Sequence, residues 1–172
     1  KILNLLDWDT NFFGFRIAQL FDNKLNQDNL RDALEFCKKY KVRLLQFKCD
    51  ASDIESIRLA EANNFHFVDI RMTFEKEIEF IDHQNKLLSN KYKFRIAKID
   101  DIHILKEIAN NLYVHSRYYN DTNFSKSVVS DFYKIWIDNS VKGKFDDIVY
   151  IICNKSLPIG FCTLSFKSNN NA

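Results

Sequence analysis

Residues 115 to 124 read HSRYYNDTNF, a stretch that gathers an imidazole, a guanidinium, two phenols and a carboxylate between His115 and Asp121. The Arg117 guanidinium is planar and always charged, which suits it to two-pronged binding of a phosphate or carboxylate. Tyr118 and Tyr119 offer rings that stack on a sugar or a base, and Asp121 or Asn120 can accept hydroxyls. His115 beside them is either a base or a solvated imidazole. The competing reading is structural: a solvated connection whose polar residues cap helices, with an Arg117–Asp121 ion pair across it.

Other chemistry-bearing side chains are sparser. Cys37, Cys49, Cys153 and Cys162 have no C-x-x-C spacing, and His66, His83, His103 and His115 have no metal-ligand spacing. Zinc and thioredoxin-like redox chemistry both lack their pattern, and the thiols are expected to be reduced and mostly buried. In the run IGFCTLSFK (159 to 167), Phe161, Thr163 and Ser165 alternate with Cys162, Leu164 and Phe166, so one face carries hydroxyls and the other is apolar. Cys162 falls on the apolar face with no His near it in sequence, which argues against an acyl-carrying nucleophile.

These groups belong to a chain that should fold. With 46% hydrophobic residues, 28% charged, 16 Phe and 7 Tyr, it is far from the signature of disorder. At 172 residues it has room for one substantial core or two small ones. The net charge of +2 comes from interspersed Lys, Arg, Asp and Glu, so there is no basic stripe for a nucleic-acid backbone. No apolar run reaches the roughly 20 residues of a membrane helix and no signal-like segment opens the sequence, so a cytoplasmic protein with no membrane partner is expected.

The elements that must position the loop can be read from periodicity. An aromatic-rich start, LLDWDTNFFGFRIAQLF, leads through a turn at Gly14 into a strand at 15 to 21. Leu30, Ala33, Leu34 and Cys37 then mark the apolar stripe of a helix beginning near Asp28. VRLLQFKC (42 to 49) is β-prone, and the Ser52-x-x-Glu55 pattern predicts a capping box for a helix ending near Asn63-Asn64. His66 to Glu75 alternates with period two and predicts a half-buried strand. Residues 78 to 91 lose the regular pattern, and the linker is placed within them.

After the linker come a strand at Tyr92 to Ala97 and a helix capped by Asp100 or Asp101 with Leu105, Ile108, Ala109 and Leu112 on its apolar face. Beyond HSRYYNDTNF, Ser125 caps a second helix in which Val129, Phe132, Tyr133 and Trp136 share a face, fading around Asn139 to Gly143. Strands at Asp147 to Cys153 and Ile159 to Lys167 follow, joined by a connection that keeps Pro158 outside the pairing. The fold class is thus α/β: an N-terminal α/β domain at 1–80, a linker at 81–91, and a β-α-α-β-β mixed-sheet unit at 92–172.

In this order, LDWDTNFFGFRIAQL (6 to 20), FHFVDIRMTFEKE (65 to 77), HSRYYNDTNF and DFYKIWIDNSV (131 to 141) resemble runs of the Gcn5-related N-acetyltransferases. The closer likeness is to the TDP-fucosamine acetyltransferase branch, and it covers nearly all of the chain. The resemblance implies that 92–172 is the N-terminal half of such a domain and that an acetyl group moves from acetyl-CoA to the amine of a nucleotide-linked amino sugar or similar small amine. A TDP-linked sugar is then the small-molecule partner, and a homodimer is compatible with this reading.

The resemblance also implies acceptor-binding roles. Arg117 would meet the diphosphate, Tyr118 and Tyr119 would stack, and Asp121 would take sugar hydroxyls. Phe13, with Trp8, Phe12 and Gly14, either lines the acceptor cleft from the first domain or packs as core around a turn; Thr163 is a candidate from the alternation of its strand, which places its hydroxyl on the face available to an acceptor. Catalytic and cofactor-binding residues stay unassigned. Acetyltransferases of this family hold the coenzyme A pyrophosphate on an R/Q-x-x-G-x-G/A turn at a helix N-terminus, and Gly14, Gly143 and Gly160, the 3 glycines here, build no such turn. That turn belongs after the strand ending at Lys167, so the expectation is either a piece of a longer acetyltransferase or a non-catalytic binding module on the same scaffold.

Overall fold

The computed structural model describes residues 2–76 and 92–166. They form a mixed α/β chain with two three-stranded sheets, in two compact units, Lys1–Phe67 and Val68–Ala172. The linker expected at 81–91 lies outside the described residues.

In the first unit β1 (Leu3–Leu5) pairs antiparallel with β2 (Ile17–Leu20), and β2 pairs parallel with β3 (Leu44–Gln46). Between β1 and β2 runs a short helix, α1 (Asp7–Phe13), where the sequence predicts only an aromatic approach to a strand. Its apolar residues are Trp8, Phe12 and Phe13, and a single i, i+4 pair within seven residues is too short a stripe to announce a helix. Gly14, at φ 75°, closes it in the left-handed conformation that other residues adopt with strain, and its N–H bonds the Thr10 carbonyl.

The parallel step from β2 to β3 is made by α2 (Gln27–Tyr40), capped by a reciprocal Asn26–Asn29 box. Leu30 and Ala33 are buried against Leu3, Ala18, Leu20, Leu25 and Ala60 in the core of this unit. The third helix, α3 (Ile54–Ala62), is capped by Asp53, whose carboxylate accepts from the Ser56 N–H at 3.1 Å, and not by the expected Ser52–Glu55 box. Ser52 is instead turned back onto Asp50, which accepts from both its N–H and its hydroxyl. Ser56, itself buried, uses its hydroxyl to hold the Leu25 N–H at 2.8 Å, tying α3 to the start of α2.

The strand expected at 66 to 75 does not form: residues 65–76 belong to no helix or strand, and Phe67, Ile70, Met72 and Phe74 are exposed. Alternation makes a strand only where an edge is present to pair with and a core to bury one face.

In the second unit β5 (Ile148–Asn154) runs between β4 (Tyr92–Ile96) and β6 (Leu157–Leu164), antiparallel to both. Between β4 and β5 the chain makes α4 (Ile102–Leu112), a single turn of helix α5 (Arg117–Asn120) and α6 (Lys126–Val141). Helices α4 and α6 pack on each other and on one sheet face. Val149, Ile151 and Cys153 alternate on that face and meet Leu105, Ala109 and Ile137 in the core. Pro158 lies inside the β5–β6 ladder opposite Cys153, contrary to expectation, and is accommodated because the ladder is irregular there, at Ile152/Cys153. Of the four thiols only Cys153 is buried, Cys162 is exposed, and all are free, which corrects the expectation of mostly buried cysteines.

Where α4 begins, Arg95 of β4 makes two 2.7 Å hydrogen bonds to the Asp101 carboxylate, which also accepts the Lys98 N–H at 2.8 Å. The paired guanidinium holds the Asp101 carboxyl down at about 2. A folded-state value below the unfolded one of about 3.9 stabilises the fold above that pH and is lost as pH falls toward 2. Asp101→Asn is therefore expected to cost about 1 kcal/mol near neutrality. The gap between variant and parent, followed by urea unfolding, should narrow between pH about 4 and 2; a gap that stays constant would show that this ion pair is not its source.

Candidate functional site

The loop from Tyr113 to Ser125 joins α4 to α6, and its shape follows from local capping. The Ser116 hydroxyl accepts the Tyr119 N–H and starts α5, while Asp121 accepts both the backbone and side-chain N–H of Asn123 at 2.8 Å. The Ser125 hydroxyl then accepts the Val128 N–H and starts α6. Asn120 spans the loop, its side-chain nitrogen donating to the carbonyls of His115 and Val68. Two of the polar residues read as ligand-binding, Asp121 and Asn120, are thus engaged in building the loop.

The aromatic residues divide by burial. Tyr118 is 1% exposed, with its ring edge-to-face against Phe124 at 5.0 Å and Phe132 at 5.2 Å. It is core, and it anchors the loop; it does not present a face for stacking. The Arg117 guanidinium lies 4.6 Å over that ring, half-buried. Tyr119 is half-buried, with the Lys126 ammonium 3.9 Å from its ring centre and bonded to its carbonyl. Lys126 escaped the sequence reading because a cap separates it from Tyr119, so no helical spacing relates the two.

A second aromatic group lies where α4 ends: Tyr113 stacks on Tyr133 at 4.1 Å with Trp136 at its edge. Burial, and then the neighbouring Tyr133 and Asp146, push the Tyr113 phenol up to about 12, so it stays neutral over the working pH range. Tyr133 and Trp136, expected as core, are half-buried.

The two remaining candidates are placed as follows. Thr163 pairs with Val149 in register and therefore shares the sheet face on which the helices pack, half-buried. The hydroxyl face of the strand is the helix-covered one because the pleat gives it to Phe161 and Val149. Phe13 ends α1 in the first unit, half-buried, its ring 4.9 Å from Phe12 and 6.2 Å from Phe15. His115 is exposed. Among the described residues no group of three or more His, Cys, Asp or Glu side chains stands ready for a metal ion, and no helix is long and apolar enough to cross a membrane.

Arg117 on the loop and Lys126 at the start of α6 are thus each held over a tyrosine ring of the loop, and one of those rings, Tyr119, is only half-buried. An aromatic face desolvates one side of each cation and fixes where its charge sits. No family model and no curated protein matches this chain.

Proposed function

We propose that the protein is an N-acetyltransferase that moves an acetyl group from acetyl-CoA to the amine of a nucleotide-linked amino sugar or a similar small amine. The 115–124 loop takes the acceptor. The observation that carries this reading is the half-buried Arg117 guanidinium, seated over Tyr118 on the loop between α4 and α6. It is supported by the order β4, α4, α6, β5, β6 around one antiparallel sheet, which agrees with the resemblance to the Gcn5-related acetyltransferases.

Arg117 is the natural partner for a diphosphate, and Lys126 at the start of α6 adds a second positive charge beside Tyr119. Transfer is direct. The neutral amine attacks the thioester carbonyl, the C–S bond breaks, the amine gives up a proton to a base, and the coenzyme A thiolate is protonated. The test is release of free coenzyme A when the intact protein is mixed with acetyl-CoA and a panel of small amines that includes nucleotide-linked amino sugars. Turnover with an amino-sugar nucleotide and none with the corresponding neutral hydroxyl sugar supports the reading; no release together with no acetyl-CoA binding by calorimetry removes it.

A binding module without acetyl transfer is the second reading, and the glycines favour it. Gly14 and Gly143, at φ 75° and 69°, close helices, while Gly160 lies within β6, so none forms a phosphate-cradling turn. Under this reading the loop still takes the anionic small molecule, but acetyl-CoA does not bind.

A further inference from the structure

Residues 65–76 hold the four most exposed large apolar side chains of the described chain: Phe67 at 80%, Ile70 at 72%, Met72 at 75% and Phe74 at 86%. An apolar run this open in water marks an interaction surface. Its sequence keeps strict period two: Val68, Ile70, Met72 and Phe74 alternate with Asp69, Arg71 and Thr73. One edge of the segment is already engaged, since the Val68 carbonyl accepts from the Asn120 side chain at 2.8 Å. In an extended chain the N–H and C=O of one residue point to one side and those of the next residue to the other. With Val68 held toward Asn120, an extended segment turns the backbone groups of Asp69, Arg71 and Thr73 the other way, and among the described residues nothing pairs with them.

We infer that two copies of this chain associate by pairing this segment with itself, as antiparallel strands about a two-fold axis at Ile70. In that register Asp69 stands opposite the partner's Arg71 and Arg71 opposite the partner's Asp69. On the other face Val68 meets the partner's Met72, Ile70 meets the partner's Ile70, and His66 meets the partner's Phe74. The free edge fixes the hydrogen-bonding pattern: Asp69 and the partner's Arg71 form the hydrogen-bonded pairs, which leaves the central Ile70 pair in the closer, non-hydrogen-bonded spacing. A slip by one residue sets Asp69 against the partner's Met72 and Ile70 against the partner's Arg71, so the two ion pairs are lost and the register is specified. The interface is isologous and closes at two copies.

The experiment measures mass in solution by analytical ultracentrifugation for the intact protein and for Asp69→Arg and Arg71→Asp, alone and mixed. Both positions are exposed, so neither change should disturb the fold, which circular dichroism checks. The parent should dimerise at tens of micromolar. Each single variant sets like charges opposite each other twice, and its dimer dissociation constant should rise roughly tenfold or more. An equimolar mixture of the two variants restores both ion pairs in a mixed dimer and should recover the parent's affinity. A parent that stays monomeric at 100 micromolar (about a hundred-thousand-fold weaker than a nanomolar interface), or single variants that dimerise as the parent does, or a mixture that stays monomeric, would each overturn the inference.

Discussion

Replacing Tyr118 by Ala is expected to lower the stability of the second unit by about 3–5 kcal/mol, a large share of what a domain of this size has. The ring is 1% exposed and wedged edge-on between Phe124 and Phe132, so truncation removes its transfer energy and leaves a cavity walled by two rings that cannot collapse freely. Phe124 closes the loop and Phe132 begins the buried face of α6 with Val129, so the loss falls on the joint between loop and helix. Tyr118→Phe keeps the ring and should keep most of the stability. The same truncation at half-buried Tyr119 should cost far less. Urea unfolding followed by circular dichroism separates the three; a Tyr118→Ala protein within 1 kcal/mol (about the cost of an average substitution) of its parent would mean the ring is not what holds the loop.

Arg117→Ala is expected to raise the KM for the acceptor by about 10- to 100-fold while leaving kcat nearly unchanged. A charge-assisted pair of hydrogen bonds to phosphate is worth about 1.5–3 kcal/mol, and it acts on ground state and transition state alike because the phosphates do not react. Arg117→Lys should fall between the two, since an ammonium keeps the charge but loses the planar fork. The guanidinium also covers the Tyr118 ring, so the Ala variant should lose about 0.5–1 kcal/mol of stability, too little to unfold the protein and produce the KM effect by itself. An unchanged KM takes Arg117 out of the acceptor site and leaves it as the lid of the aromatic core. This prediction rests on the proposed acetyl transfer; if the protein does not turn over, the same variant is read by its affinity for a sugar nucleotide.

The two substitutions bear on adjacent residues that the sequence treats alike and the fold treats differently. Tyr118 and Tyr119 are chemically identical and neighbouring, yet one turn of helix sends the first into the core and the second to the surface. Nothing local distinguishes them, because α5 is too short to show a period. Asp121 likewise reads as a ligand for hydroxyls, but its oxygen is taken by Asn123 two residues on. Short polar side chains near turns more often satisfy the backbone than wait for a ligand.

The sequence by itself determined the long elements: α2, α4 and α6 carry apolar stripes at three- and four-residue spacing, and Ser125 marks where α6 starts. It also put the polar loop between α4 and α6, because a run of Asn, Asp, Ser and Tyr interrupts both stripes. Tertiary structure alone decided which tyrosine is buried, which face of β6 the helices cover, that Pro158 enters a ladder, and that 65–76 finds no strand partner among the described residues. The physical reason is common to all four. Periodicity reports which side of an element is apolar, but burial, pairing and strand formation depend on what lies opposite, and that is supplied by residues far away in sequence.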